Sequence, residues 1–349
     1  MPELRQNLAT KEWVIIATER AHRPEEFRSE SRGRGSRVEH SQQCPFCAGN
    51  ERMSETVYLA GDQATSGKGG RLPSGDPASR GQAKWKVRAV KNRFPALVEG
   101  AAQPKTQGGL YRLLSGEGIH EVIIDSPSHC KHPALLSRRE MEDLVEAYRE
   151  RFKESAKRDK VSLTLIFKNH GEAAGTSLEH PHTQLVGSSV VPSGIRHRMD
   201  EAEKYFERNS RCVFCRMIEE ECRQGARILS ETEHFAAFVL FAALSPFHIW
   251  ILPKRHTPSF GDITDHEADD FAAVLQGVLK KLDKGLDNPD YNYIIQSAPM
   301  DRGTTEAFHW YLSLVVRLNK TAGFELGSGM FINTTLPEES ARYLNSVKV

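Results

Sequence analysis

The sequence predicts an α+β fold built from two copies of one module. Both halves of the chain show the same order of features, which is a Cys-x-x-Cys pair, an apolar strand, a helix, a second strand and a histidine. The histidine spacing also agrees, because His129 and His180 are 51 residues apart, and His256 and His309 are 53 residues apart. Units of such similar length favour a duplicated module over two unrelated domains.

In the first half, an apolar strand is expected at 121–124, and a second strand at 161–167. A helix is expected between them, because Ser137 and Glu140 have the spacing of a capping box. The apolar positions of this helix recur every three or four residues, as one buried face requires. They are Met141, Leu144, Val145 and Tyr148.

The second half repeats this pattern, with strands expected at 248–252 and 291–296 and a helix that begins after Thr264. We therefore divide the chain into a first domain at 1–195 and a second domain at 196–349. The segment at 61–83 is rich in Gly, Ser, Lys and Pro, so we expect it to be a flexible surface insert.

Composition excludes several functional classes. The 349 residues include 47 basic and 46 acidic side chains, for a net charge of +1, whereas dedicated nucleic-acid binders have a clear basic excess. The longest apolar stretch, at about 235–244, is too short to span a bilayer. The charged N-terminus does not resemble a signal peptide. We expect a cytoplasmic protein without nucleic-acid or membrane partners.

Four of the six cysteines form two Cys-x-x-Cys pairs. In a reducing compartment such pairs serve as metal ligands or redox dithiols, and a glycine turn after the first pair favours metal. Two thiolates and two imidazoles suit tetrahedral zinc, and four protein ligands make a structural site. The alternative is that the cysteines are free thiols. The two predicted zinc sites are Cys44, Cys47, His129 and His180, and then Cys212, Cys215, His256 and His309.

A second histidine, His182, follows His180 by two residues, so both rings lie on one face of an extended segment. Ser177 and Gln184 lie close enough in sequence to donate hydrogen bonds. A neutral imidazole with fixed donors suits covalent capture of a phosphorus atom. In isolation, such a pair is more often an ordinary surface or core feature. The equivalent of His182 in the second half is Tyr311, so we expect only the first half to be catalytic.

The segment from Asn169 through His182 to Gln184 resembles the motif of galactose-1-phosphate uridylyltransferases, a branch of the histidine-triad superfamily. Three further segments are similar to this family, at 12–24, 92–97 and 323–325. The resemblance extends from residue 2 to about 344, apart from the insert. It implies two histidine-triad-like modules, each a mainly antiparallel sheet with flanking helices. The second Cys-x-x-Cys pair resembles the zinc-bearing subclass.

The resemblance also implies a double displacement, in which His182 takes a uridylyl group from UDP-glucose and passes it to galactose 1-phosphate. Ser177 and Gln184 would assist His182 as catalytic residues. Phe324 and Glu325 would contact the hexose, and the family suggests a homodimer. The implied nucleotide-binding residues are Arg20, Arg23, Asn92, Asn169, Gly175 and Gln184.

Other functions remain open from the sequence. The segment at 322–329 also resembles ADP-glucose phosphorylases, which would pass an adenylyl group from the same histidine to phosphate. The nucleotide base and the acceptor, a hexose 1-phosphate or phosphate, therefore stay undecided. A zinc-knuckle protein that binds RNA or protein is a distant alternative, and a redox protein using the cysteine pairs is a third. The second metal site is open to zinc, iron or no metal.

Overall fold

We describe the fold from a computed structural model, which places residues 1–17, 27, 38–61, 85–101, 110–300 and 306–349. Two of the predicted nucleotide-binding residues, Arg20 and Arg23, lie outside the described residues. So does nearly all of the predicted insert at 61–83, so that its expected flexibility stays a prediction.

A ten-stranded antiparallel sheet forms the centre of the fold, in the order β3-β4-β5-β7-β6-β11-β12-β10-β9-β8. Its strands come in equal numbers from the two halves of the chain. The first-half strands are β3 (Thr56–Gly61), β4 (Trp85–Lys91), β5 (Gly118–Ile124), β6 (Leu163–His170) and β7 (His182–Ser188). The second-half strands are β8 (Ile228–Glu231), β9 (Phe235–Val239), β10 (Ile249–Pro253), β11 (Tyr291–Gln296) and β12 (Tyr311–Val316).

The strand order shows the duplication directly. Read from its outer edge, the first half runs β3-β4-β5-β7-β6, and the second half runs β8-β9-β10-β12-β11. Corresponding strands therefore occupy corresponding places, and the halves join where β6 pairs with β11, with Asn292 opposite Asn169. The predicted α+β fold with two antiparallel modules is confirmed. The predicted boundary between 195 and 196 falls within a helix, and it stays a prediction.

Two long helices pack on one face of the sheet and against each other, α1 (Arg138–Ala156) and α4 (Asp265–Leu286). Both begin with the predicted capping box, formed by Ser137 with Glu140 and by Thr264 with Glu267. A cap of this kind stabilises a helix by about 1 kcal/mol, and burial of the apolar stripe adds more. The predicted stripe residues of α1 are all buried.

The remaining elements surround this central layer. A small sheet joins β1 (Glu3–Gln6), β2 (Trp13–Ile16) and β13 (Phe331–Asn333), so it links the beginning of the chain to its end. In the described residues, no helix is long and apolar enough to cross a membrane. The other helices are α2 (Ser193–Asn209), α3 (Val213–Gln224), α5 (Gly323–Ser328) and α6 (Pro337–Ser346).

Candidate active site

Four potential metal ligands from distant parts of the first half meet in one cluster. Cys44 and Cys47 lie in a turn before β3, His129 follows β5, and His180 precedes β7. Their ligand atoms all lie within 4.8 Å of one another. All four side chains are buried, and neither cysteine is part of a disulfide. The fold therefore brings together the whole of the first predicted set.

The spacing of these ligands fits zinc. The Sγ–Nδ1 distance is 3.4 Å between Cys47 and His129, and His180 Nδ1 lies 3.6 Å from the sulfur of each cysteine. In a tetrahedral site with ordinary zinc–ligand bonds, a sulfur and a nitrogen ligand are about 3.6 Å apart. His180 Nε2 donates to the Ser126 carbonyl at 2.9 Å, which leaves Nδ1 as the ligand atom.

The second predicted set forms an equivalent cluster, with ligand atoms again within 4.8 Å of one another. Cys215 Sγ lies 3.4 Å from His256 Nδ1 and 3.6 Å from His309 Nδ1. His309 Nε2 donates to the Pro253 carbonyl at 2.8 Å, just as His180 Nε2 donates to the Ser126 carbonyl in the first cluster. The hydrogen bond between the two cysteines lowers the pKa of the Cys212 thiol and raises that of Cys215, so the pair favours one thiolate and one thiol before a metal binds.

His182 is the first residue of β7, the strand that follows His180 of the first cysteine and histidine cluster. Its Nδ1 lies 2.9 Å from the carbonyl oxygen of His180. Because a carbonyl oxygen can only accept, Nδ1 carries the ring proton and Nε2 keeps its lone pair. Burial, with a further contribution from the charge of Lys168, lowers the pKa of the ring. The result is a neutral imidazole whose Nε2 is suited to nucleophilic attack.

A buried polar network supports the backbone beneath this imidazole. Lys168 Nζ donates to Asp125 Oδ2 at 2.5 Å and to the carbonyl of His182 at 2.9 Å. Thr183 Oγ1 donates to the other oxygen of Asp125 at 3.0 Å, and the Tyr148 hydroxyl lies 2.6 Å from Thr183 Oγ1. Such a network holds its members in one arrangement. Sequence analysis did not predict this network, although Lys168 among the apolar residues of a strand indicates a buried charge that needs a partner.

Gln184 is held by a histidine that sequence analysis also missed. His120 Nδ1 accepts from the backbone N–H of Ala96 at 3.0 Å, so the ring proton is on Nε2. This N–H donates to Gln184 Oε1 at 2.9 Å, which leaves the amide N–H groups of Gln184 as donors. Asn92 Nδ2 lies 3.0 Å from the same ring nitrogen in a contact between two donors rather than a hydrogen bond, and Asn92 Oδ1 accepts from the Phe94 backbone N–H. The fold thus brings two predicted site residues, Asn92 and Gln184, together around His120.

Three other predicted site residues, Asn169, Gly175 and Ser177, lie at the end of β6 and in the loop that follows it. Asn169 lines two cavities, of about 250 Å³ and about 860 Å³, and Ser177 lines the larger one. Gly175 has a φ of 85°, in the left-handed region that favours glycine. Thr176 Oγ1 donates to the Asn169 carbonyl at 2.8 Å, so the loop is tied back to the end of β6.

The predicted hexose-contacting residues lie on α5. Glu325 lines the smaller cavity together with Asn169 and Lys320, so the structure brings it close to the β6 end of the site. Its Oε2 also accepts from the Ala322 backbone at 3.1 Å at the start of the helix. Phe324 is half exposed and is not among the described residues that line this cavity.

Tyr311, the equivalent of His182 in the second half, is almost inaccessible to solvent. Tyr311 is buried and stacks on Trp250 with ring centroids 4.2 Å apart, and Phe214 stacks on it at 5.5 Å. A tyrosine packed in this way has no open face for a ligand. That only the first half carries a nucleophile stays a prediction.

Both domains of a known enzyme family match this chain. The model of the galactose-1-phosphate uridyl transferase N-terminal domain matches residues 78–192, and that of the C-terminal domain matches residues 198–344. The chain belongs to the galactose-1-phosphate uridylyltransferase family. The resemblance found in the sequence is therefore confirmed, and the chain is a nucleotidyltransferase by family.

Two relatives match the whole of this chain over more than nine tenths of their own length. The ADP-glucose phosphorylase of Arabidopsis thaliana is 34% identical over 354 residues, which cover 100% of this chain and 93% of the relative. The galactose-1-phosphate uridylyltransferase of Thermotoga maritima is 28% identical over 359 residues, which cover 100% of this chain and 99% of the relative.

Solved structures of the family have the same fold. An ADP-glucose phosphorylase from Arabidopsis thaliana with bound ADP-glucose aligns with a TM-score of 0.79 at 30% identity, covering 100% of this chain and 99% of that one. A uridylyltransferase aligns with a TM-score of 0.73 at 25% identity, covering 99% and 98%. The individual roles predicted for the site residues stay predictions.

Proposed function

We propose that this galactose-1-phosphate uridylyltransferase family member transfers a nucleotidyl group by two displacements at His182. In the first, Nε2 attacks the α-phosphorus of UDP-glucose and forms a phosphorus–nitrogen bond. The bond to the bridging oxygen breaks, and glucose 1-phosphate leaves with its electron pair. In the second, a phosphate oxygen of galactose 1-phosphate attacks the same phosphorus, which returns the lone pair to Nε2 and gives UDP-galactose.

The observation that carries this proposal is the tautomer of His182. Its Nδ1–H is committed to a backbone carbonyl two residues earlier, so only Nε2 is left to act as a nucleophile. The amide N–H groups of Gln184 are left as donors by the bond from His120. They would stabilise charge that shifts onto the phosphoryl oxygens, together with Ser177 and Asn169.

The other site residues have binding roles in this proposal. The nucleotide would contact Asn92, Arg20 and Arg23, and Gly175 would let the loop backbone approach the phosphates. Glu325 would accept from hydroxyl groups of the hexose, with Phe324 packing nearby. Two charged substrates would thus react in turn with one neutral ring, so that they never meet each other directly.

We further propose that both cysteine and histidine clusters hold structural zinc. A closed site of four protein ligands supplies rigidity and leaves no position for a substrate. In the first half, the site would fix His180 and therefore the start of β7, where His182 lies. A cytoplasmic homodimer is the proposed state of the enzyme, and nucleotide sugar and hexose 1-phosphate are its proposed partners.

A second candidate is adenylyl transfer from ADP-glucose to phosphate. The specific observation in its favour is the 34% identity to an Arabidopsis thaliana ADP-glucose phosphorylase over the full chain. The first displacement at His182 would be the same. Only the base of the nucleotide and the oxygen nucleophile of the second step would differ.

Intact-mass measurement separates these candidates. The enzyme is mixed with UDP-glucose or ADP-glucose, and the mass added to the protein identifies a uridylyl or an adenylyl group. Released glucose 1-phosphate is measured in parallel, and galactose 1-phosphate or phosphate is then added to discharge the adduct. His182→Asn should form no adduct, whereas His266→Asn, at an exposed position on α4, should behave like the wild type. No adduct with either nucleotide sugar would refute the proposal and favour a non-enzymatic zinc protein.

A further inference from the structure

One side chain on β11, in the second half of the chain, contacts both the end of β6 and the loop that follows it. Asp290, just before β11, also accepts from the Ala173 backbone N–H in this loop at 2.7 Å. Asn292 lies opposite Asn169 in the pairing of β11 with β6. Its Nδ2 donates to Asn169 Oδ1 at 2.9 Å and to the carbonyl oxygen of Ala174 at 2.9 Å. Both hydrogens of this amide nitrogen are therefore used, and both of their acceptors belong to the first half.

These two bonds determine which way the amide of Asn169 faces. The Ala174 carbonyl can only accept, so the nitrogen of Asn292 must be the atom that points toward it. The same nitrogen then requires an acceptor at Asn169, which is Oδ1. The Nδ2 of Asn169 is left with two N–H groups, and no described residue accepts from them.

We propose that Asn292 is a positioning residue that turns the N–H groups of Asn169 toward the substrate phosphates. This inference rests on the proposed function, in which Asn169 donates to the nucleotide sugar. A side-chain amide has two orientations related by a half turn, and they exchange a donor for an acceptor. In the wrong orientation, Asn169 would present a carbonyl oxygen to a negatively charged phosphate.

Through its hydrogen bond to the Ala174 carbonyl, Asn292 also contacts the loop that follows β6. Ala174 is buried and precedes Gly175, whose left-handed conformation turns the chain toward Ser177. Asn292 therefore links the end of β6 to the beginning of this turn. Because β11 belongs to the second half, the non-catalytic half would contribute directly to the geometry of the site.

The decisive variant is Asn292→Asp, which keeps the size of the side chain but cannot donate. Its carboxylate should accept from Asn169 Nδ2, so that Asn169 Oδ1 turns toward the phosphates. We expect the single-turnover rate of adduct formation with UDP-glucose or ADP-glucose to fall about 100- to 1,000-fold, which is the range seen when one aligned donor is lost. Asn292→Ala should lose less, because it frees the amide of Asn169 without reversing it.

A double-mutant cycle separates positioning from a merely structural role. In an Asn169→Ala background, Asn292→Asp should cause no further loss of rate, since there is no amide left to orient. Asn345→Asp is the matched control, because Asn345 also donates to a backbone carbonyl but lies at an exposed position on α6. It should leave the rate unchanged. Thermal unfolding of every variant is measured alongside.

The outcomes distinguish the two proposals. If the wild type forms no adduct, the proposed function fails. If the wild type forms the adduct and Asn292→Asp reacts at the wild-type rate, the positioning role is refuted. It is also refuted if the losses from Asn292→Asp and Asn169→Ala multiply in the double variant, because Asn292 would then act independently of Asn169.

Discussion

Replacing His120 by phenylalanine tests how the site controls its phosphate donors. The ring of His120 donates from Nε2 to Gln184 Oε1 at 2.9 Å, and its Nδ1 accepts from the exposed backbone N–H of Ala96. His120→Phe keeps a ring of similar volume and removes both nitrogens. Because water can solvate the Ala96 N–H, we expect the protein to fold and only the orientation of Gln184 to be lost.

The expected loss of rate follows from the energy of one hydrogen bond. An ordinary bond of this kind is worth about 0.5 to 1.5 kcal/mol, which corresponds to about a 2- to 13-fold change in the population of the productive amide orientation. Removal of an aligned donor itself costs about 100- to 1,000-fold in kcat. His120→Phe should therefore reduce kcat by about 2- to 13-fold, and Gln184→Ala should reduce it considerably more.

The assay is the steady-state release of glucose 1-phosphate from the nucleotide sugar that forms the adduct, in the presence of the acceptor that discharges this adduct. The double variant with His120→Phe and Gln184→Ala should be no slower than Gln184→Ala alone. An unchanged kcat in His120→Phe would show that Gln184 is oriented by something else. A loss larger than that of Gln184→Ala would also refute the reasoning, since His120 would then have a role of its own.

Two further predictions concern the metal clusters and acid stability. Cys47→Ser and Cys215→Ser should each release about one zinc ion per chain in metal analysis and lower the unfolding temperature, whereas Cys130→Ser should retain both ions. Burial, with the nearby charge of Arg198, lowers the pKa of His248 to about 3. The unfolded ring titrates near pH 6.5, so the unfolded chain takes up the proton first as pH falls. This group should therefore reduce the free energy of unfolding by about 2 kcal/mol between pH 7 and pH 5. Urea unfolding should show that His248→Gln loses that much less over the same range, and equal losses would contradict the assignment.

The features that sequence predicted well are local or repeated along the chain. The capping boxes depend on residues three positions apart, and both are present. The metal clusters were predictable because each has a Cys-x-x-Cys pair and because the duplication shows which histidines correspond. His129 and His256 could be chosen over nearby histidines on that basis alone. The clusters in the fold contain these two residues.

The features that sequence missed depend on the order of strands in the sheet. Lys168 pairs with Asp125 only because β6 and β5 both adjoin β7. His120 reaches Gln184 across the pairing of β5 with β7 for the same reason. The contact between Asn292 and Asn169 is still harder to predict from sequence, because it requires the two halves of the chain to join at β6 and β11. No local pattern specifies which strands become neighbours.

The join between the halves gives the second half a place beside the proposed active site. The second half has its own cluster of cysteines and histidines, and Tyr311, at the position equivalent to His182, lies within an aromatic stack. Its strand β11 nevertheless pairs with β6, and Tyr293 on that strand lies 2.7 Å from the Tyr148 hydroxyl of the network beneath His182. A mutation that loosens β11 should therefore slow the first displacement even though no atom of the second half reacts. We infer that the second half forms one wall of the proposed active site.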